Sequence, residues 1–334
     1  MPWLTIALIR TKHNIQMDGK YFAAIDIGSN AVRLLVKRVS VNEQTGEDKL
    51  SKDLLLRVPL RLGFDVFAKG KISKTRAKNL MRMMSACRQL MDIYNVAAYR
   101  ACATSAMRDA KNGKELIKKI KREADINIEI INGQEEAQMI YNNHIEFLGD
   151  RTGNYMYVDV GGGSTEVNFI VAGKLVFSKS FNIGTVRILT GGVSEAAWQN
   201  MRDMVEENVR GYENIEIIGS GGNINKLYKL VDTKDKTKKS LPVSALSSIY
   251  EKLSSMTEKE RMDIYNLKPD RADVIVPASR IFLTLAEVLK SKNIFVPVIG
   301  LSDGIIDSLY LEELEKEKLG NVETTVVEDD ETDA

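Results

Sequence analysis

Two short stretches of this 334-residue chain carry residue types that could do chemistry on an anion. They are Asp26-Ile27-Gly28-Ser29-Asn30 and Asp159-Val160-Gly161-Gly162-Gly163-Ser164-Thr165. In each an aspartate sits at the end of an apolar run, and a turn of glycine with small polar residues follows. Such a turn between two strands points several backbone N–H groups one way, with Gly28 expected to supply a positive φ. The triple glycine is expected to let the chain approach a phosphate with no Cβ in the way. One Gly-rich turn is weak evidence, because hairpin turns are rich in glycine for steric reasons. Two at matching places in a repeated chain are much stronger. A carboxylate beside a polyanion repels it unless a divalent cation intervenes, so Asp159 with Glu166, and Asp26 beside the first turn, are the expected Mg²⁺ ligands. A dinucleotide fingerprint is excluded by context, since Gly161 to Gly163 leads into the strand-like Glu166 to Val171 and not into a helix. A third turn, Gly219-Ser220-Gly221-Gly222, does follow a strand and open a helix, and Gly221 is expected to contact the ligand.

Two further sites accompany the turns. Arg108, in Ala103-Thr104-Ser105-Ala106-Met107-Arg108-Asp109, is placed in the loop after a first-half strand. Its guanidinium can hold a phosphate bidentately or pair on the surface with Asp109 or Glu115. The helix opening at Gly133-Gln134-Glu135-Glu136-Ala137 carries two adjacent acids, about 100° apart around the axis, so only one can face a cleft. One of them is a candidate general base, although acids in a first turn are also favoured by the helix dipole.

The elements that must position these residues come in two matching sets. The apolar runs Tyr21 to Ile27 and Tyr155 to Val160 are each followed by two further strands, Arg33 to Val41 and Leu50 to Leu60 in the first half, Glu166 to Val171 and Lys174 to Phe181 in the second. Each half then continues helix, strand, helix. These are Lys74 to Tyr94, Ala97 to Ala103 and Gly113 to Ala124, and later Ser194 to Tyr212, Ile215 to Ile218 and Asn223 to Val231. The apolar stripe Leu80, Met83, Met84, Cys87, Leu90, Met91 reads as core packing. Two copies of one pattern predict two mixed α/β domains of like topology, with their Gly turns facing across a cleft. The first spans 21–139, joined by a return helix over 305–318, and the second spans 140–304. Residues 1–20 form an extension and 319–334 an acidic, disordered tail. The polar segment Val231 to Ser240 reads as a solvated linker.

Composition excludes several classes. Hydrophobic residues make up 44% and charged residues 28%, and no apolar run approaches the ~18 residues of a membrane span. The net charge is +1, yet the last fourteen residues hold six acids and no base, leaving 47 bases against 40 acids elsewhere. Such a body tolerates an anionic ligand. Only Cys87 and Cys102 are present, which excludes a disulfide scaffold and points to a reducing, cytoplasmic setting. The only histidines, His13 and His144, are too few for His-rich metal sites or a triad, so a carboxylate is the expected base. No basic helix or stacking-aromatic motif suggests nucleic acid.

With these motifs in order, the chain resembles the exopolyphosphatase and guanosine pentaphosphate phosphohydrolase (Ppx/GppA) family. The resemblance rests on AAIDIGSN, ATSAMRDAKNG, IEIINGQEEA, VDVGGGSTEV, GSGG and LSDGIIDSLY between Tyr21 and about Leu311. It implies an α/β fold of duplicated ribonuclease H-like domains, as in the actin, sugar-kinase and heat-shock ATPase superfamily, in the short two-domain form. It also implies Mg²⁺-dependent release of terminal phosphate from polyphosphate or guanosine pentaphosphate. Residue by residue, it puts the catalytic base on Glu136, the aspartate before the triple glycine on Asp159, the cleft arginine on Arg108 and the phosphate loops on Gly28 to Asn30 and Gly161 to Thr165. Ala31, Gln138 and Asn223 depart from the family's usual serine, arginine and threonine, which bears on substrate preference. The partners implied are the substrate, no nucleic acid, no membrane and, as one option, a second copy in a homodimer. The alternatives are a kinase of the same superfamily and a non-catalytic alarmone or polyphosphate sensor. No basic region precedes the apolar Trp3 to Ile9 and no small-residue cleavage site follows it, so no signal peptide is expected, and because Met17 directly precedes the first strong strand it is one option for the translation start. Intact mass of the native protein decides it, since a product shorter by about the 16 preceding residues confirms a start at Met17 and a full-length mass refutes it.

Overall fold

A computed structural model describes residues 17–42, 47–144, 152–237, 239–297 and 300–328. His13 and the rest of the N-terminal extension before Met17, and the last six residues, lie outside this set. The first half runs β1 (Tyr21–Ile27), β2 (Val32–Val41), β3 (Asp48–Val58), α1 (Leu62–Lys69), α2 (Lys74–Ile93), β4 (Val96–Ala103), α3 (Ser105–Asp109), α4 (Gly113–Ala124) and β5 (Ile128–Ile130). Helix α5 (Gly133–His144) follows. The second half runs β6 (Asn154–Val160), β7 (Thr165–Val171), β8 (Lys174–Phe181), α6 (Thr185–Leu189), α7 (Glu195–Val209), β9 (Ile215–Ser220), α8 (Gly222–Leu230), β10 (Ser240–Pro242), α9 (Val243–Ser254), α10 (Glu258–Tyr265), α11 (Pro269–Ala272), α12 (Ile275–Val288) and β11 (Asn293–Phe295). A long helix, α13 (Leu301–Glu328), ends the described chain.

The two sheets have the same plan. The first is ordered β3-β2-β1-β4-β5 and the second β8-β7-β6-β9-β11, with β10 added at its edge. In both, the first three strands are antiparallel neighbours, and the two beyond them run parallel to the central strand. The duplicated α/β arrangement expected from the sequence is therefore the fold. The central strands are apolar on both faces because helices cover them. Phe22 to Ile27 are all buried, and so is Met156 to Val158. The stripe on α2 is core, with Leu80, Met83, Met84, Cys87 and Met91 buried. Burial pushes both cysteine thiols up to about 12, which leaves them as inert packing groups.

A third apolar cluster joins the halves. Phe22 of β1, Leu35 of β2, Tyr157 of β6, Ile170 of β7 and Met139 of α5 meet Ile305, Ile306, Leu309 and Tyr310 of α13. α13 also packs along β1, β2 and β4. Its backbone runs further than expected at both ends, starting at Leu301 and continuing to Glu328. Asp303 in its first turn suits the helix dipole, and Gly320 alone is too weak a breaker to end it. The helix expected to open at Gly133 is described as far as His144, and residues 145–151 lie outside the described set. Most other ends shift by up to three residues. The elements that the sequence pattern does not mark are β5, β10, β11 and the helices α9 to α12, together with three short helices, α1, α3 and α6. α1 starts from Arg61 in the left-handed conformation with no side-chain cap, so it lacks a sequence start signal. α3 and α6 have five residues each, too few to show a period.

Phe282 on α12 is fully buried, and a Cβ on Gly219 would lie 3.2 Å from its ring. Phe282→Ala is expected to cost about 3–5 kcal/mol of unfolding free energy. Urea denaturation measures it, and a loss below 1 kcal/mol would contradict this packing.

Candidate active site

The Gly turns after β1 and β6 are local copies of each other. Gly28 N–H donates to Ala31 O at 3.1 Å, and Gly161 N–H donates to Ser164 O at 3.0 Å. A Cβ on either glycine would lie 3.1 Å from the same acceptor. Gly28 does not have the positive φ expected of it. Glycine is favoured there by the tightness of the turn. The triple glycine also serves a contact that the sequence does not show. A Cβ on Gly162 would lie 2.9 Å from Ser29 Cβ and 3.2 Å from Asn30 N, and one on Gly163 would run into Ser105 and Phe67. The missing side chains let the second turn press against the first. Arg187 fastens this contact. Its Nε donates to Gly163 O at 2.7 Å and its Nη2 to Asp109 at 2.6 Å, while its guanidinium lies over Phe67.

Between the turns lies a cavity of about 310 Å³. Among the carboxylates that line it, three come from different elements of the second half and the joining helix: the buried Glu136 from α5 and Glu166 from β7, and the half-buried Asp159 from β6. α5 begins at Asn132, whose Oδ1 accepts from Glu135 N–H at 2.9 Å. That geometry turns Glu135 outward to Arg100 and Glu136 inward, settling which acid faces the cleft. Glu136 Oε2 is buried without a hydrogen-bond partner. Burial, then the charges of Glu166, Asp159 and Asp26, raise its pKa well above the usual carboxylate value. Glu166 is pushed up to about 7 by burial and Asp159, against hydrogen bonds from Ser164 and Ser180. Asp159 is pushed up to about 6 by burial, while Arg33 and the Ser220 hydroxyl favour its charged form. Gly221, at φ +96°, brings the third turn against this carboxylate, since its Cβ would lie 2.8 Å from Asp159 Oδ1.

Repelling buried carboxylates with an unpartnered oxygen are a donor set that suits a hard divalent cation. Among the described residues, no three His, Cys, Asp or Glu groups form a cage of their own. A cation here would draw on one or two of these carboxylates, and on water and ligand oxygens, which is the habit of Mg²⁺.

The opposite wall is cationic. Arg33 of β2 and Arg57 of β3 are directly opposed in register, and Arg271 reaches the same cavity from α11. Like charges facing one another across a strand pair cost roughly 0.2–1 kcal/mol. Burial, then Arg57 and Arg33, lower Arg271 to about 9, even with Asp270 nearby. Its Nη1 donates to Asn223 Oδ1 at 2.6 Å, which gives the unusual Asn223 a task. Three crowded guanidiniums are a receptor for several anionic oxygens.

Of the expected site residues, Gly28, Ser29, Asn30, Gly161, Gly162, Ser164, Gly221, Asp26, Asp159, Glu166 and Glu136 line one cavity. Three do not. Gly163 packs on Ser105 and Phe67, and Thr165 donates to Ile183 O at 2.6 Å. Arg108 lies on α3, not in a loop, and spends Nη1 on Ile131 O at 2.8 Å. Its charge acts on Glu136 and Glu166 from outside the cavity lining. Asp26 pairs with Arg33 at 2.5 Å, so its charge is already answered by a guanidinium and does not by itself call for a metal. Arg33, Arg57, Arg271, Ser105 and Thr185 line the cavity without having been singled out. For Arg33 the sequence did hold a signal, a cation within a run of strand-forming apolar residues. Between pH 4 and 7 the folded chain retains protons on Asp159 and Glu166 that the unfolded chain has released, so their contribution to stability falls as pH rises through that window. The thermal midpoint of the ligand-free protein should accordingly show a downward component over this range that E166Q reduces. An unchanged pH dependence in that variant would contradict the shift.

The family model described as the Ppx/GppA phosphatase family matches residues 54–313. The bifunctional 3-dehydroquinate synthase/phosphatase of Fusobacterium nucleatum is 29% identical over 289 residues, covering 80% of this chain, which spans only 43% of that relative's length. Exopolyphosphatase 2 of Mycobacterium tuberculosis is 27% identical, with 86% of this chain and 98% of that one covered. The crystal structure of the Aquifex aeolicus Ppx/GppA family member superimposes with a TM-score of 0.69 at 28% identity, over 88% of this chain and 98% of that one. The duplicated sheets, the paired Gly turns and the family match over most of the chain lead to one assignment: this chain belongs to the Ppx/GppA phosphatase family.

Proposed function

We propose that the chain is a Mg²⁺-dependent phosphohydrolase that releases terminal orthophosphate from inorganic polyphosphate or guanosine pentaphosphate. The observation that carries this reading is the buried, unpartnered Glu136 oxygen in a cavity also lined by Arg33, Arg57 and Arg271. The family match and the exopolyphosphatase among its relatives support the same reading. Two buried cysteines fit a reducing cytoplasmic setting.

On this reading the guanidiniums and the backbone of the Gly28 and Gly161 turns hold the phosphate oxygens and stabilise charge in the transition state. Glu136 accepts a proton from a water as that water's oxygen bonds to the terminal phosphorus. The anhydride P–O bond breaks, and the shortened chain departs as a phosphate anion. Burial and its acidic neighbours make Glu136 a stronger base than a free carboxylate, which suits this step. Asp159 and Glu166 would hold the cation, which neutralises phosphate charge when bound. Water as acceptor distinguishes this reaction from phosphate transfer to a small molecule.

Purified protein with Mg²⁺ is expected to release orthophosphate from long polyphosphate or guanosine pentaphosphate faster than from ATP. Glu136→Gln should lose about 10²–10⁴-fold in rate while substrate affinity is kept. Near-normal turnover in that variant would remove Glu136 from the role. Transfer of labelled phosphate to an acceptor, or tight binding with no release by the wild type, would replace the reading with a kinase or a sensor.

A further inference from the structure

Helix α5 leaves the first sheet through β5, yet its first turn is seated on the second sheet. Gly133 stands over Ser180 of β8 so closely that a Cβ there would overlap Ser180 Cβ and Oγ, well inside 3.0 Å. One turn on, the Ala137 carbonyl accepts from Asn168 Nδ2 of β7 at 2.9 Å. Ser180 is therefore in contact with the start of the helix that carries Glu136. Its hydroxyl also donates to Glu166 Oε1 at 2.8 Å. A single small side chain touches the backbone of one carboxylate's helix and the oxygen of the other carboxylate.

We propose that Ser180 is a positioning residue that sets the placement of Glu136 against Glu166, with Gly133 as its required counterpart. The proposal rests on the reading of Glu136 as the base. Larger side chains at either position force α5 outward. A side chain without a donor at 180 keeps the seat and frees the Glu166 oxygen. The serine satisfies both demands, since it is small enough for Gly133 and long enough to reach Glu166.

The test is a cycle of the full-length variants G133A, S180A, S180G and G133A/S180G, assayed with Mg²⁺ and polyphosphate. S180A is expected to lower kcat about tenfold, the scale of a lost hydrogen bond to a charged group, with KM within about twofold of wild type. G133A is expected to lower kcat about 10²-fold, as a displacement of about 1 Å does. In the S180G background, where the colliding atoms are gone, G133A should add little further loss. Hydrogen exchange of the α5 amides supplies a readout independent of turnover, faster in G133A and restored in G133A/S180G. Equal losses from G133A in both backgrounds, wild-type kcat in S180A, or exchange in G133A that matches wild type would each overturn the proposal. Should G133A fail to fold, recovery of a folded G133A/S180G supports the contact and failure of that variant too opposes it. Absence of phosphate release by the wild type removes the base assignment instead, and the exchange data still decide the contact.

Discussion

Like charges are gathered on two walls of one small gap, and the rest of the structure is organised around keeping them there. Glu136, Glu166 and Asp159 reach the gap from α5 and the second sheet, Arg33 and Arg57 from the first sheet, and Arg271 from α11 beside the third Gly turn. Both groups carry the marks of mutual repulsion, in carboxylates that hold their protons too tightly and an arginine that holds its own too loosely. Buried ions of one sign are costly unless a partner enters. The two walls do not simply neutralise each other, because Asp26 already takes Arg33 and Asp270 takes Arg57 at 2.6 Å. What remains unanswered is charge of both signs, which suits an anionic ligand on one side and a cation on the other, as the proposed function requires.

The fold reaches this state by using one hairpin twice and changing only what contact demands. Gly28 and Gly161 close their turns with the same bond to a carbonyl three residues on. The copies differ where they touch. Ser29 and Asn30 keep their side chains, and Gly162 and Gly163 give theirs up so that the second turn can lie on the first. Ser29 Oγ then meets Ser105 Oγ at 3.0 Å, while Asn30 Nδ2 donates to Asp270 O at 3.1 Å. The serine pair stays within the first half, whereas the Asn30 bond crosses to the second.

Repetition made the fold legible. Two aspartate-glycine turns at the same place in two strand–turn–strand runs define the sheets, and the apolar stripe on α2 defines a helix with its buried face. Elements without a period were not legible. α1 hangs from an arginine in a left-handed cap, and α3 and α6 are single turns held by tertiary contacts such as Arg187 on Gly163. Most residues singled out beside a glycine signal line the cavity, Gly163 and Thr165 excepted, and the lining residues that arrive from distant chain segments carried no such signal. Arg271 shows why. It follows a proline in a polar stretch, and only folding brings it beside Asn223 and the two β-hairpin arginines. Arg108 was read from its place after a strand, and its Nη1 donates to the Ile131 carbonyl, a partner that the spacing of the motif does not show. Periodicity could not choose between Glu135 and Glu136, because the choice depends on the Asn132 cap that sets the helix's rotation.

The route of the chain adds a constraint that neither half contains alone. α5 is covalently continuous with the first sheet but is seated on β7 and β8, so Glu136 is tied to the same sheet as Asp159 and Glu166. Arg33 and Arg57 belong to the hairpin of the other sheet. Any opening between the sheets separates the acidic wall from these two arginines without disturbing the spacing within the acidic wall. A polyanion held at both walls resists that separation, in the direction already favoured by Arg57 on Asp270 and Arg61 on Asp273. On the proposed function, ligand binding and closure become the same electrostatic event, and Glu136, Asp159 and Glu166 keep their mutual spacing when it occurs.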